Sequence, residues 1–207
     1  MNQILLVEGK DDLHVISALC VKFKIPENFK IKDTEGIDKL LEQVPVRMKQ
    51  TGIKTIGIII DADVNLAGRW QQVLKVVGQK MPNFPNEPSM SGTVHQENNL
   101  RVGVWIMPNN QLNGMLESFI EFLIPDSDEL LPIINTHLDA IENNKMNQYK
   151  LIHRDKAMIH SWLAVQEDPG TPMGLSITKK YLSTDVRQCK VLIDWLLKLF
   201  NKLANED

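Results

Sequence analysis

Cysteine is scarce in this 207-residue chain, and the two that occur, Cys20 and Cys189, stand near opposite ends. That spacing builds neither a zinc knuckle nor a disulfide framework, and it fits a reducing compartment. Long hydrophobic runs are missing as well. Nowhere do about 18 apolar residues run together, so no transmembrane helix is expected. Met1-Asn2-Gln3 leads straight into a short apolar run ending in Val7-Glu8, without a basic n-region or a signal-length apolar stretch, which makes the cytoplasm the expected location. Positive charge is not in excess either. The 23 Lys and Arg against 26 Asp and Glu leave a net charge of −3, which excludes a bulk basic coat for nucleic acid, so any polyanion must be met locally. His14, His95, His137, His153 and His160 form no His-Glu-x-x-His spacing. Gly9-Lys10 is not a phosphate-binding P-loop, since its upstream glycine is absent and Asp11 replaces the hydroxyl residue.

What is present is an ordinary globular composition, 43% hydrophobic and 24% charged. Ile4-Leu5-Leu6-Val7 reads as a short buried strand, and after Gly9 the apolar positions Leu13, Ile16, Leu19 and Phe23 keep helical spacing. Residues 29–32 suggest a second strand, followed by a helix through Ile37, Leu40, Leu41, Val44 and Met48 that contains or ends at Pro45. Residues 54–60 read as a strand whose run Ile56-Gly57-Ile58-Ile59-Ile60 is apolar on both faces, as a central parallel strand covered by helices would be. A helix over 66–77, a surface loop over 82–92 and a hairpin of strands 93–96 and 101–107 around Glu97-Asn98-Asn99 come next. From Met115 onward the pattern is helical, with a final helix over 185–203. The expectation is an α/β protein: a Rossmann-like parallel sheet flanked by helices over residues 1–125, and a helical C-terminal part over 126–207 packed on it.

In open parallel sheets ligands bind beyond the carboxyl ends of the strands. Two acidic clusters sit there, Glu8-Gly9-Lys10-Asp11-Asp12 after the first strand and Asp61-Ala62-Asp63 after the third. Neighbouring strands lie roughly 4.8 Å apart, so if these two pair, Glu8 and Asp61 come within reach of one small cation. Asp61 and Asp63, two positions apart, would point to one side in extended backbone, and Asp12 stands one helical turn after Glu8. Like charges this close disfavour joint ionisation, and a divalent ion relieves the conflict. The all-oxygen set points to Mg²⁺ or Mn²⁺ over zinc. Bland roles stand beside these: Asp11 and Asp12 suit a helix N-cap and a first-turn acid, and Asp63 can cap the helix that begins near Leu66.

Leu5-Leu6-Val7-Glu8-Gly9-Lys10-Asp11-Asp12, then Ile58-Ile59-Ile60-Asp61-Ala62-Asp63 and Gly68-Arg69, resemble the Toprim domain over roughly the first half of the chain. That domain is shared by type IA and II topoisomerases, bacterial primases, OLD-family nucleases, recombination-repair proteins of the RecR type and M5-type ribosomal RNA maturases. The chain as a whole is most similar to stand-alone Toprim-like proteins related to the OLD and M5 nucleases. The resemblance implies a small Rossmann-like parallel sheet and Mg²⁺-assisted making or breaking of phosphodiester bonds. By it, Glu8 matches the motif glutamate, Asp61 and Asp63 the paired metal-binding aspartates, and Asp12 the second acid of nuclease-type members. Topoisomerase-like members carry a further aspartate where this chain has Asn65, and with only Tyr149 and Tyr181 no active-site tyrosine domain can be accommodated. Nuclease-type members also carry an acid after the next core strand and a downstream lysine, for which Glu117 and Lys156 are the candidates. Glu117 equally suits a first-turn helix acid, and Lys156 a solvated or ion-paired surface position.

The function this implies is a Mg²⁺- or Mn²⁺-dependent phosphodiester hydrolase acting on DNA or RNA. Glu8, Asp61, Asp63 and Lys156 would be its catalytic residues, and Glu8, Asp12, Asp61, Asp63 and Glu117 its metal ligands. The alternative is a non-catalytic module whose acids hold a structural ion or recruit a nucleic-acid or protein partner, a homo-oligomer included. A receiver-like phosphoacceptor domain fits less well, because Glu8 precedes the glycine and Asp63 adds a second aspartate. The run Lys145, Lys150, Arg154 and Lys156 is the best candidate for phosphate-backbone contact, and His153 and His160, flanking Lys156, can line a site mouth. The four tryptophans have core-like spacings and are expected to be buried.

Overall fold

The structure is a computed structural model that describes residues 2–201. Its elements run β1 (Gln3–Val7), α1 (Lys10–Lys22), β2 (Lys30–Asp33), α2 (Ile37–Lys49), β3 (Thr55–Asp61), α3 (Leu66–Val77), β4 (Thr93–Glu97) and β5 (Leu100–Met107). Five helices follow: α4 (Leu116–Glu121), α5 (Leu130–Asn143), α6 (Arg154–Ala164), α7 (Met173–Thr178) and α8 (Arg187–Phe200). The last positions of the helix expected over 185–203 lie outside the described residues. The fold is mixed α/β: one five-stranded sheet of order β2-β1-β3-β5-β4, parallel except for the edge strand β4, with helices on both faces. The exception follows from the hairpin, which turns through Asn98 in the left-handed region and so returns β5 antiparallel to β4.

Strand alternation divides the core in two. Ile4, Leu6, Ile56, Ile58 and Ile60 face α2 and α3, while Leu5, Val7, Ile59, Trp105 and Met107 face α1 and the helices that follow β5. Pro45 is carried inside α2, whose buried residues Leu40 and Val44 hold it to the sheet. Residues beyond 125 supply much of the second layer, since Leu138, Ile159, Ile177 and Leu196 join the same apolar cluster as Leu5 and Val7.

A pair of glycines seats the last helix. Gly57 and Gly103 are partners across β3 and β5. A Cβ on Gly57 would lie 2.6 Å from Leu5 Cδ1 and 2.9 Å from Phe200 Cζ, and one on Gly103 would lie 2.6 Å from Leu199 Cδ2. The missing side chains are what let α8 approach the sheet so closely. Trp195 Nε1 donates to the Thr93 carbonyl at 3.0 Å, and the Gln3 and Asn28 amides donate to the Phe200 carbonyl at 3.2 and 3.0 Å. All four tryptophans are buried. Both cysteines are free thiols, and among the described residues no helix is long and apolar enough to cross a membrane.

Candidate functional site

The chain leaves β1 for β2 on one side and then crosses back to β3 on the other, so the segments following β1 and β3 diverge. A crevice at such a reversal is where open α/β sheets bind ligands. Glu8 follows β1 and Asp61 ends β3. Glu8 Oε1 accepts a hydrogen bond from the backbone N–H of Asp61 at 2.8 Å, which brings the two acids together as the pairing of their strands requires. Among the described residues neither forms a salt bridge.

Asp12 joins them from the first turn of α1. Its Oδ2 accepts from the Gly9 N–H at 3.1 Å, the back-bond of a first-turn acid, while its Oδ1 is buried without a hydrogen-bond partner. Asp61 Oδ1 is orphaned in the same way. Asp11 is exposed, and Gly9 rather than an aspartate occupies the N-cap. Burial raises the pKa of Glu8 against the opposing hydrogen bond from Asp61 and the charge of Arg69. Burial, then the charge of Glu8, pushes Asp12 up to about 7. Asp61 is held well above the usual carboxylate range by burial first, and then by Asp12, Glu8, Glu117 and Asp63. The mutual repulsion means that these five carboxylates share one electrostatic neighbourhood.

Asp63 departs from the extended, same-side placement. The strand ends at Asp61, and Asp63 has φ 51, in the left-handed region. Its N–H and C=O exchange hydrogen bonds with Gly114, both at 2.8 Å, so the segment after β3 is stapled to the one after β5. Its carboxylate reaches Arg69 Nη2 at 2.5 Å, while Arg69 Nε donates to the Asp61 carbonyl at 2.7 Å. Asp63 does not cap α3. Asn65 does, accepting from the Gly68 N–H at 2.8 Å.

Glu117 arrives from the first turn of α4 and is buried, with Lys156 Nζ 3.3 Å from its Oε1. Both bland readings hold at once: Glu117 is a first-turn acid, and Lys156 is an ion-paired, half-exposed side chain. Yet the pair stands at the acids. Ser118 Oγ donates to Asp155 Oδ2 at 2.5 Å and ties α4 to α6 beside them. One face of α6 and the turn before it, carrying His153, Lys156 and His160, lines a cleft of 620 Å³ whose other walls include Asp61, Asp63 and Glu117. A second recess of 480 Å³, with Glu8, Asp12 and Asp33 on its walls, shares Asp61, Glu117 and Lys156 with the first.

The basic run does not act as a unit. Arg154 is drawn away to Asn135 at 3.0 Å, Asp139 at 2.6 Å and Glu142 at 3.4 Å, and of the four residues Lys156 is the one that lines the clefts. Two site residues carried little sequence signal. Arg69 stood out only as part of a motif, and Tyr149, which lines the larger cleft, showed nothing beyond its ring.

The donor chemistry fits a hard divalent cation. Two buried aspartate oxygens lack any partner, and every candidate ligand is oxygen. Among the described residues no three carboxylate, imidazole or thiolate groups converge as a ready-made chelate. Mg²⁺ asks for less, since it usually takes one or two carboxylates and keeps waters as its other ligands.

Over residues 2–201 the chain matches the family described as "Protein of unknown function (DUF3226)", and it belongs to that family. No curated protein and no solved structure matches it.

Proposed function

We propose that this DUF3226 chain is a Toprim-type, Mg²⁺- or Mn²⁺-dependent phosphodiester hydrolase acting on DNA or RNA. The observation that carries the reading is the pair of orphaned, buried Oδ1 atoms of Asp12 and Asp61 beside Glu8, at the reversal point of a mostly parallel sheet. Asp12 and Asp61 would hold the ion through their free Oδ1 atoms, with Glu8, Asp63 and Glu117 at its edge. When bound, such an ion lowers the pKa of a water and neutralises charge on a phosphoryl oxygen.

The chain's own groups supply the rest. Lys156, half exposed and shared with Glu117, would turn toward a phosphate and stabilise charge growing on the leaving oxygen. His153 and His160 present imidazoles to the same cleft, the side-chain type suited to moving a proton near neutral pH. Arg69 keeps the aspartate segment in place through the Asp61 carbonyl and the Asp63 carboxylate.

The test is cleavage of single- and double-stranded DNA and RNA with Mn²⁺ or Mg²⁺ by the wild type and Asp61→Asn. Metal-dependent cleavage lost in the variant supports the assignment, and equal cleavage by both rejects it. The capture of Arg154 by α5 favours a second reading, a metal-binding module without turnover, because it leaves the clefts few cations for a polyanion. Metal binding by the wild type with no cleavage of any substrate would select it.

A further inference from the structure

The larger cleft has a wall that the hydrolase reading does not use. Tyr149 lines it, and the Tyr149 hydroxyl donates to Glu142 Oε1 at 2.6 Å. Glu142 is in turn held by Arg154 Nε at 3.4 Å, and Arg154 is anchored on Asp139 and Asn135. The ring is therefore fixed from behind by a relay running into α5. The cleft wall is partly apolar, since Met115 and Ala157 line it, and Leu151, beside it in the chain, is 67% exposed. Leu151 lies between two residues of the cleft wall, Tyr149 and His153.

We infer that this cleft seats one unpaired nucleotide, its base against the Tyr149 ring and its phosphate toward Asp61 and Lys156, so that the substrate is a single strand or an unpaired end. The inference rests on the hydrolase reading and names its substrate class. A recess of 620 Å³ takes a single nucleotide, whereas a base inside a duplex has both faces stacked and must be unpaired before it can enter any pocket. With Arg154 committed and Lys156 shared, phosphate attraction is weak, and stacking together with apolar contact must supply the affinity. Such binding responds little to salt, because each neutralised phosphate of a single strand contributes a slope of only about −0.7.

The experiment is fluorescence anisotropy of the full chain with Ca²⁺ in place of Mg²⁺, using a short labelled single-stranded oligothymidylate and a labelled hairpin duplex. The wild type is expected to bind the single strand about tenfold more tightly than the duplex, with a salt slope shallower than about −2. Tyr149→Ala is expected to lose about tenfold on the single strand, while Tyr149→Phe, which keeps the ring, retains most of the affinity. Thermal melts of both variants establish that they fold. Equal affinity of wild type and Tyr149→Ala, equal affinity for duplex, or a steep salt slope overturns the base seat. The Asp61→Asn cleavage assay reads the other proposal separately: cleavage that depends on Asp61 but not on Tyr149 sinks the seat alone, and Tyr149-dependent binding without any cleavage sinks hydrolysis alone.

Discussion

Arg69 grips the Asp-Ala-Asp segment twice, through the Asp61 carbonyl at 2.7 Å and through the Asp63 carboxylate at 2.5 Å. The guanidinium is nearly buried, and among the described residues it is the one cation that pairs with Asp63. It balances part of their charge and sets the turn that carries them, so stability and site geometry both depend on it.

Arg69→Ala is expected to destabilise the fold by roughly 1–3 kcal/mol, since a backbone carbonyl loses its donor and a carboxylate its partner. Arg69→Lys should recover only part of this, because an ammonium cannot serve both oxygens with a planar fork. Chemical denaturation of the three proteins measures the difference, and full recovery by lysine would show that charge alone matters.

The raised pKa of Asp12 gives a pH signature. A carboxyl whose folded pKa of about 7 stands above its ordinary 3.8 keeps a proton that the unfolded chain has released, so its contribution to stability falls as pH climbs through that window. Asp12→Asn removes the effect and keeps an acceptor for the Gly9 N–H. The variant should match the wild type near pH 4 and exceed it at pH 8 by roughly 1–3 kcal/mol. Melting curves across that range test this, and a variant no more stable than the wild type at pH 8 would contradict the repulsion.

Divalent cations should act against the same repulsion. Mg²⁺ or Mn²⁺ is expected to raise the melting temperature at pH 8, above the pKa of about 7 of Asp12, and to do much less at pH 5, where Asp12 holds its proton; the burial that raises the Asp61 pKa acts in the same direction. Chelator should reverse the gain, and Asp61→Asn should abolish it. A gain that is the same at both pH values would place the ion elsewhere.

The glycine seat of α8 gives a packing prediction. Gly103→Val would drive side-chain atoms into Leu199, and Gly57→Ala would press on Leu5 and Phe200. Each is expected to destabilise by about 1–3 kcal/mol, and the pair less than additively because both displace the same helix. Denaturant titrations of the single and double variants decide it.

The elements that the sequence marks clearly are those where one local rule dominates. The seven residues of β3 are apolar or small until Asp61, and such a run is stable only between two layers. β2 is harder to place, because none of its four residues is buried and two of them are lysines, so no periodicity singles out its ends. Asp63 follows the strand too closely for a pattern of spacing to show that the backbone has already turned left-handed there. His153, Lys156 and His160 share a helical face in the sequence, but the wall opposite that face belongs to β3 and α4.

The sequence by itself determined the apolar strands, the acids at their ends and the helical character of the second half, because burial and helix periodicity act over neighbouring residues. Only the tertiary structure decided which acids share one space, that Arg69 takes Asp63 while α5 takes Arg154, and that Tyr149 and Lys156 line a wall of the same cleft. Those outcomes depend on the crossing order of strands and on which groups lose water together, and both are properties of chain segments far apart in the sequence.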